Sequence, residues 1–241
     1  MSNMGIKAVF FDLDDTLFDY ESCHQKATKR IFEDINKLTG TPIELMPIIF
    51  EIAQKEVKTQ LFWTAASHNK DLYFQKIFEK INNQIKNRIM AKDTVLIYNN
   101  YRKTFFATLK KERDTVYLLK YLKKKWVKTW VITDSSNFIQ LKKLIHLWID
   151  DKIDIMVSSE EAWMDKPHSS PFLLAMYKLD VKPHECIMVW DSIKRDVEWA
   201  QWLWIQWIWM NRYQKSNEWI IPNYTVENTM QLYKLVKEIV K

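Results

Sequence analysis

The chain has 241 residues, of which 47% are hydrophobic and 27% charged, an ordinary composition for a globular protein with one large or two modest domains. Its net charge of +6 is mild and spread out, with no basic face and no recognition motif, which argues against a nucleic-acid partner. No apolar stretch is long enough to span a bilayer, so we expect no membrane partner either.

The cysteines and the first residues indicate the cellular compartment in which the protein is expected. Cys23 and Cys186 lie far apart in the sequence, which favours a reducing environment over a disulfide framework. The start of the chain leads directly into an apolar segment and lacks the anatomy of a signal peptide. We therefore expect a cytoplasmic protein.

The first predicted element is a buried strand over residues 8–11, which ends abruptly in the carboxylates Asp12 and Asp14. Residues i and i+2 of a strand share a face, so the two side chains can address one metal and one substrate together. Like charges so close repel each other unless a cation or a reaction uses them. The pair therefore indicates a catalytic site at the end of this strand.

The following segment, residues 17–112, has the spacing of amphipathic helices. In 71–90 the apolar residues recur at intervals of three and four, at Phe74, Ile77, Phe78, Ile81, Ile85 and Ile89. Similar patterns over 20–38, 44–60 and 93–111 predict further helices, and no strand pattern interrupts them. We predict an all-α domain inserted after the first strand.

From residue 113 the pattern alternates between helix and strand. Helices are predicted at 115–125, 137–147, 170–179, 195–203 and from 228, and strands at 128–132, 153–157, 186–189, 205–210 and 224–226. Such alternation predicts an α/β fold, a Rossmann-like three-layer core with a mostly parallel sheet. The core comprises residues 1–16 and 113–241.

Ligands of such sheets bind at the carboxyl ends of the strands. The polar residues at these ends are Asp12, Asp14, Thr16, Thr133, Asp134, Ser158, Ser159, Asp191 and Ser192.

Four motifs of the chain resemble those of the haloacid dehalogenase-like hydrolase superfamily, in the branch with a helical cap after the first strand. The sequence DLDDT at 12–16 is similar to the nucleophile motif, and Thr133 to the second motif. Lys166 in MDKPHSSPF is similar to the third, and Asp191 with Asp196 in VWDSIKRD to the fourth. The resemblance covers nearly the whole chain, with residues 17–112 as the cap.

The resemblance implies a role for each catalytic residue. Asp12 would attack phosphorus and form an aspartyl-phosphate, while Asp14 would act as general acid and base. Lys166 would offset charge in the transition state. Mg²⁺ would be held by Asp12, Asp14 through its backbone carbonyl, and Asp191.

The resemblance implies that the remaining residues would bind the substrate or support the catalytic residues. Thr133, Asp134 and Thr16 are the expected substrate contacts, and Asp196 and Ser192 the expected supporting residues. Asp15 is expected to be a turn residue or helix cap. The implied function is Mg²⁺-dependent hydrolysis of a small phosphorylated metabolite by a monomer or weak homodimer.

Two alternatives stay open. A phosphomutase of the same family would return the phosphoryl group to another hydroxyl, and a catalytically impaired relative would bind phospholigands without turnover. Dehalogenation is disfavoured because the haloacid dehalogenases lack an acid at the position of Asp14.

The tryptophans are anomalous, since the chain has 12 of them and only 2 glycines, against about 7% glycine in an average protein. Trp126, Trp148 and Trp204 stand where a helix should end in a left-handed residue, normally glycine. Three further tryptophans occupy family glycine positions, at Trp163, Trp190 and Trp199. We hypothesise that UGA codons for glycine have been translated as tryptophan, with Trp63 and Trp209 as genuine tryptophans.

Overall fold

The computed structural model describes residues 5–82, 89–192, 205–216 and 221–240. The chain divides into two compact units, one formed by Met1–Asp19 with Lys110–Lys241 and the other by Tyr20–Leu109. No helix in the described ranges is both long and apolar enough to cross a bilayer.

The unit Tyr20–Leu109 is helical. Its helices are α1 Tyr20–Thr39, α2 Met46–Gln60, α3 Lys70–Asn82 and α4 Ala91–Thr108. Helix α1 buries a stripe of residues spaced about four apart, Cys23, Ala27, Ile31 and Ile35. This stripe packs against α4, while α3 packs against α2 and α4, so the unit has an apolar interior of its own.

The helix predicted over 71–90 is too long. Helix α3 is described over Lys70–Asn82, residues 83–88 lie outside the described residues, and Met90 has an extended backbone with φ −106° and ψ 166°. The Asn82 side chain accepts a hydrogen bond from the Ile89 amide at 2.7 Å. Ile89 is buried although it is not helical, which is why its spacing imitated a continuing helix. Ile85 lies outside the described residues.

The other unit is built on a six-stranded sheet with the order β3-β2-β1-β4-β5-β6, in which every neighbouring pair is parallel. The strands are β1 Ala8–Phe11, β2 Lys128–Thr133, β3 Ile155–Ser158, β4 Cys186–Trp190, β5 Gln206–Met210 and β6 Tyr224–Val226. The predicted α/β fold is confirmed.

Helices cover this sheet because a parallel sheet must bury both faces. They are α5 Arg113–Lys124, α6 Asn137–Leu147, α7 Ser159–Ala162, α8 Ser170–Leu179 and α9 Thr229–Ile239. Phe172 and Ala175 of α8 join Phe10, Trp130 and Met188 in one buried cluster. The helix predicted over 195–203 lies outside the described residues.

Strand β3 begins two residues later than predicted. The chain first makes a short 3-10 turn over Asp150–Lys152. The Asp154 carboxylate then accepts a hydrogen bond from the Thr129 amide at 2.8 Å. The Asp154 amide also donates to the Thr129 carbonyl at 2.8 Å, so Asp154 joins the two strands through both its backbone and its side chain.

Several tryptophans adopt a left-handed backbone. The φ angle is +60° at Trp126, +59° at Trp148 and +67° at Trp163, and their side chains are 91%, 70% and 85% exposed. The expectation of left-handed residues after α5 and α6 is confirmed. The reason for treating Trp63 as genuine, that its site does not call for glycine, is wrong, because its φ is +69° and the site favours glycine. Trp199 and Trp204 lie outside the described residues.

Candidate active site

The candidate site lies at the carboxyl ends of three adjacent strands, β2, β1 and β4. The Asp12 amide continues the sheet by donating to the Val189 carbonyl at 3.0 Å. Asp191 directly follows Trp190, the last residue of β4, and Thr133 is the last residue of β2. Because these strands are neighbours in the sheet, their ends bring Asp12, Thr133 and Asp191 to one edge.

Asp12 and Lys166 form a buried ion pair. The Lys166 Nζ atom lies 2.5 Å from Asp12 Oδ1, and the two side chains are 2% and 7% exposed. Lys166 also donates to the Ile132 carbonyl at 3.1 Å. Burial raises the pKa of Asp12 to about 6, with the Lys166 charge opposing this rise and the Asp14 charge adding to it.

Asp191 is a second carboxylate at the same edge. Burial, and after it the negative charge of Asp12, raise its pKa to about 7. Lys215, whose Nζ lies 3.7 Å from Asp191 Oδ2, opposes the rise. Asp12, which is buried, and Asp191, which is partly exposed, both have a raised pKa, so together they are a donor set that a cation would stabilise.

This donor set fits Mg²⁺, which prefers oxygen ligands and binds through one or two carboxylates while it keeps several waters. Within the described ranges, no group of three or more His, Cys, Asp or Glu side chains forms a metal cluster. A site made of Asp12, Asp191 and a backbone carbonyl is compatible with that finding, since it contains only two such side chains.

Asp14 belongs to the same motif as Asp12, but its carboxylate pairs with a different lysine. Both of its carboxylate oxygens accept hydrogen bonds from Lys143 Nζ, at 2.7 and 2.6 Å. Lys143 belongs to α6, the helix that follows Thr133, but it lies outside the four motifs, and the sequence analysis did not identify it.

Thr133 and Asp134 are linked by Gln140, a second buried polar residue of α6. Gln140 Nε2 donates to Thr133 Oγ1 and to the Asp134 carbonyl, both at 2.7 Å. The Asp134 carboxylate accepts from the Lys166 backbone amide at 3.0 Å. Asp134 therefore fixes the segment that carries Lys166. Gln140 was also missed, although a Gln and a Lys three residues apart on one helix face were a usable signal.

The nucleophile loop is held from the other side by residues after β5. Arg212 Nε donates to the Asp15 carbonyl at 3.2 Å, and the Tyr213 hydroxyl contacts Asp15 Oδ1 at 2.9 Å and Asp19 Oδ1 at 2.8 Å. Asp15 has a φ of +61°, which confirms it as a turn residue. Thr16 Oγ1 is buried, with no hydrogen-bond partner among the described residues.

The end of β4 is crowded with aromatic rings. The Trp190 ring centroid is 3.7 Å from Lys166 Nζ and 5.6 Å from the centroid of the Phe172 ring. The Trp209 indole Nε1 donates to the Asp191 carbonyl at 3.0 Å. Ser192 is partly exposed next to Asp191, and Asp196 lies outside the described residues.

Comparison with known proteins gives concordant matches. The family model of haloacid dehalogenase-like hydrolases matches residues 6–202. The chain is 29% identical over 194 residues to a ribulose-1,5-bisphosphate 5-phosphatase of Halopiger xanaduensis, covering 80% of each protein. It is 30% identical over 196 residues to a glyceraldehyde 3-phosphate phosphatase of Pyrococcus furiosus, covering 81% of this chain and 77% of the relative.

Solved structures agree on the fold. The structure of an HAD phosphatase from Thermococcus onnurineus matches with a TM-score of 0.74 at 20% identity, covering 98% of this chain and 100% of that one. At this identity the likeness bears on the fold alone.

Proposed function

Because the chain belongs to the haloacid dehalogenase-like hydrolase family, we propose that it is a phosphatase that hydrolyses a small phosphate monoester through an aspartyl-phosphate. Relatives that match about four fifths of the chain are named as phosphatases of small sugar phosphates. A small phosphorylated metabolite is the substrate class that we propose, for a cytoplasmic monomer or weak homodimer.

The observation that carries this proposal is the buried pair of Asp12 and Lys166 beside a second acid, Asp14. A nucleophile needs an accessible lone pair of electrons and a fixed position. The ion pair with Lys166 supplies the fixed position. The same ammonium can offset negative charge on the phosphoryl oxygens in the transition state. A structural ion pair alone would not require Asp14 or Asp191 at the same strand ends.

The reaction then divides into two steps. An Asp12 oxygen attacks phosphorus, the bond from phosphorus to the ester oxygen breaks, and Asp14 gives its proton to the leaving alkoxide. In the second step Asp14 takes a proton from water, which attacks the phosphorus and releases phosphate and the Asp12 carboxylate. The Thr133 hydroxyl and Lys166 hold phosphoryl oxygens in both steps.

Asp12, the backbone carbonyl of Asp14 and Asp191 are the proposed Mg²⁺ ligands. When bound, the cation would neutralise phosphoryl charge and the repulsion between the carboxylates. We further propose that residues 1–16 with 113–241 are the catalytic core and that residues 17–112 are a cap domain that selects the substrate.

The test is release of inorganic phosphate from a panel of phosphate monoesters, including glyceraldehyde 3-phosphate and ribulose 1,5-bisphosphate, with Mg²⁺ and with EDTA. We expect release that requires Mg²⁺ and is lost in Asp12→Asn. Isomerisation of a sugar phosphate without net phosphate release would point to a phosphomutase. No release from any monoester would overturn the phosphatase proposal.

Trp190 favours the second candidate, a catalytically impaired relative that binds phospholigands. Its ring lies 3.7 Å from Lys166 Nζ, where the family has glycine and leaves space. Binding of phosphate monoesters without turnover in the protein that carries Trp190, together with turnover in Trp190→Gly, would support this candidate.

A further inference from the structure

We propose that Lys143 is a positioning residue that holds the Asp14 carboxyl group in the orientation from which it serves the leaving group. The inference rests on the proposed function, in which Asp14 is the general acid and base. It assigns a role to a side chain outside the four motifs of the sequence.

The contact between the two residues is bidentate and largely shielded from water. Lys143 Nζ lies 2.7 Å from Asp14 Oδ1 and 2.6 Å from Oδ2. The Lys143 side chain is 4% exposed and that of Asp14 is 27% exposed. A buried ammonium is costly unless it is paired and hydrogen-bonded, so the contact with Asp14 is what offsets the cost of burying this lysine.

The position of Lys143 follows from the helix that carries it. Gln140 and Lys143 are three residues apart in α6 and therefore lie on one face. Gln140 contacts Thr133 and the Asp134 carbonyl at the end of β2, while Lys143 reaches Asp14 after β1. One face of α6 thus orders polar groups at two neighbouring strand ends.

The pairing also separates the two carboxylates of the nucleophile motif. Lys166 contacts Asp12, and Lys143 contacts Asp14. Each acid has its own ammonium, so Asp14 does not have to compete with Asp12 for Lys166. The single ammonium contacts both carboxyl oxygens, so it holds the carboxyl group in place from one side, as a point charge does.

A leaving-group series tests the role of Lys143. A positioned acid matters for an alkyl phosphate, whose alkoxide needs a proton, and matters little for p-nitrophenyl phosphate, whose phenolate leaves without one. For Lys143→Met we expect kcat/KM to fall about 100-fold with the alkyl ester and less than about 5-fold with the aryl ester. Lys143→Arg, which keeps a charged donor, is expected to recover most of the loss.

The matched control is Lys142→Met, since Lys142 is an exposed neighbour on the same helix whose Nζ lies 4.6 Å from the centroid of the Phe138 ring. Lys142→Met is expected to leave kcat/KM unchanged for both esters. An equal loss with the two esters in Lys143→Met, or no loss, would overturn the positioning role.

A measurement without turnover separates this inference from the proposed function. Urea midpoints of Lys143→Met, Asp14→Asn and the double variant form a double-mutant cycle. We expect the midpoint shifts of the single variants to add to more than the shift of the double variant, because each single change leaves the partner without its bidentate contact. Additive shifts would contradict the pairing whether or not the protein is a phosphatase.

Discussion

The Lys166 ammonium lies between two unlike partners, 2.5 Å from the Asp12 carboxylate oxygen and 3.7 Å from the centroid of the Trp190 ring. Both contacts attract a cation, one through its charge and the other through the face of an aromatic ring. Lys166 is thereby fixed before any phosphate arrives, and one of the two side chains that fix it is Trp190, at a position where the family resemblance leads us to expect glycine.

Replacement of the nucleophile tests the central assignment. Asp12→Asn keeps the size of the side chain but removes the attacking oxygen, so we expect turnover to fall on the order of 1000-fold or more. The melting curve should still show one cooperative transition. Phosphate release and thermal unfolding measure the two effects.

The control is Asp151→Asn, which alters an acid whose side chain is 70% exposed. It should keep normal turnover. Normal turnover in Asp12→Asn would contradict the nucleophile assignment.

The buried ion pair predicts an asymmetric effect on stability. Lys166→Met leaves the buried Asp12 carboxylate without its counter-charge, and we expect the free energy of unfolding to fall by about 3–5 kcal/mol. Adding Asp12→Asn removes the stranded charge and should restore much of that loss. Urea unfolding of both variants gives the comparison.

A loss in Lys166→Met that Asp12→Asn does not restore would show that the packing of Lys166, rather than its pairing, stabilises the fold.

The left-handed tryptophans predict that glycine is better at their positions. A bulky residue in this conformation costs roughly 1–2 kcal/mol, and the exposed side chains of Trp126, Trp148 and Trp163 offer little burial in return. We expect each Trp→Gly change to raise the free energy of unfolding, by about 1 kcal/mol once the greater freedom of glycine in the unfolded chain is counted. Urea midpoints provide the measurement.

Trp209→Gly is the contrasting control, because Trp209 is only 6% exposed and lies in β5. It should destabilise the protein by about 3–5 kcal/mol, as truncation of a buried tryptophan does. The codons give a second check. UGG at Trp63, Trp126, Trp148 and Trp163 would sink the hypothesis that these residues are translated glycines.

The thiol of Cys186 is expected to be unreactive in the native protein. Burial raises its pKa to about 12, with the Glu185 charge as the second cause. At pH 8 the thiolate, which is the reactive form, is therefore almost absent, and its fraction rises only as the pH approaches 12. We expect no labelling by Ellman's reagent at pH 8 in the native protein and rapid labelling in urea.

Cys23, which is also buried, should follow the same pattern, so Cys23→Ser isolates the response of Cys186. Rapid native labelling of that variant would contradict the burial of Cys186.

The strand-end residues could be predicted because the topology of a parallel sheet carries its strand ends to one edge. That rule alone was enough to predict that Asp12, Thr133 and Asp191 lie at one edge of the sheet. Lys143 and Gln140 could not be found in this way, since the face that a helix turns toward the sheet is set by tertiary packing. Arg212 was missed because it follows a strand without resembling any motif.

Two local predictions failed for different physical reasons, one at Ile89 and the other at Trp63. Ile89 is buried in a non-helical segment, so burial rather than helix geometry produced its spacing. Trp63 was expected to be a genuine tryptophan because no helix end was visible there, yet the turn after α2 places it at φ +69°. A tight turn inside a helical region leaves no periodic signal in the sequence.

The order of strands in the sheet also bears on synthesis at the ribosome. The strand β1 is made first, but its partners are β2 and β4, which emerge only after the entire helical unit. Contacts so distant in sequence form slowly. The nascent nucleophile motif therefore has no sheet to join until most of the polypeptide has been translated, and the helical unit is in a position to fold first.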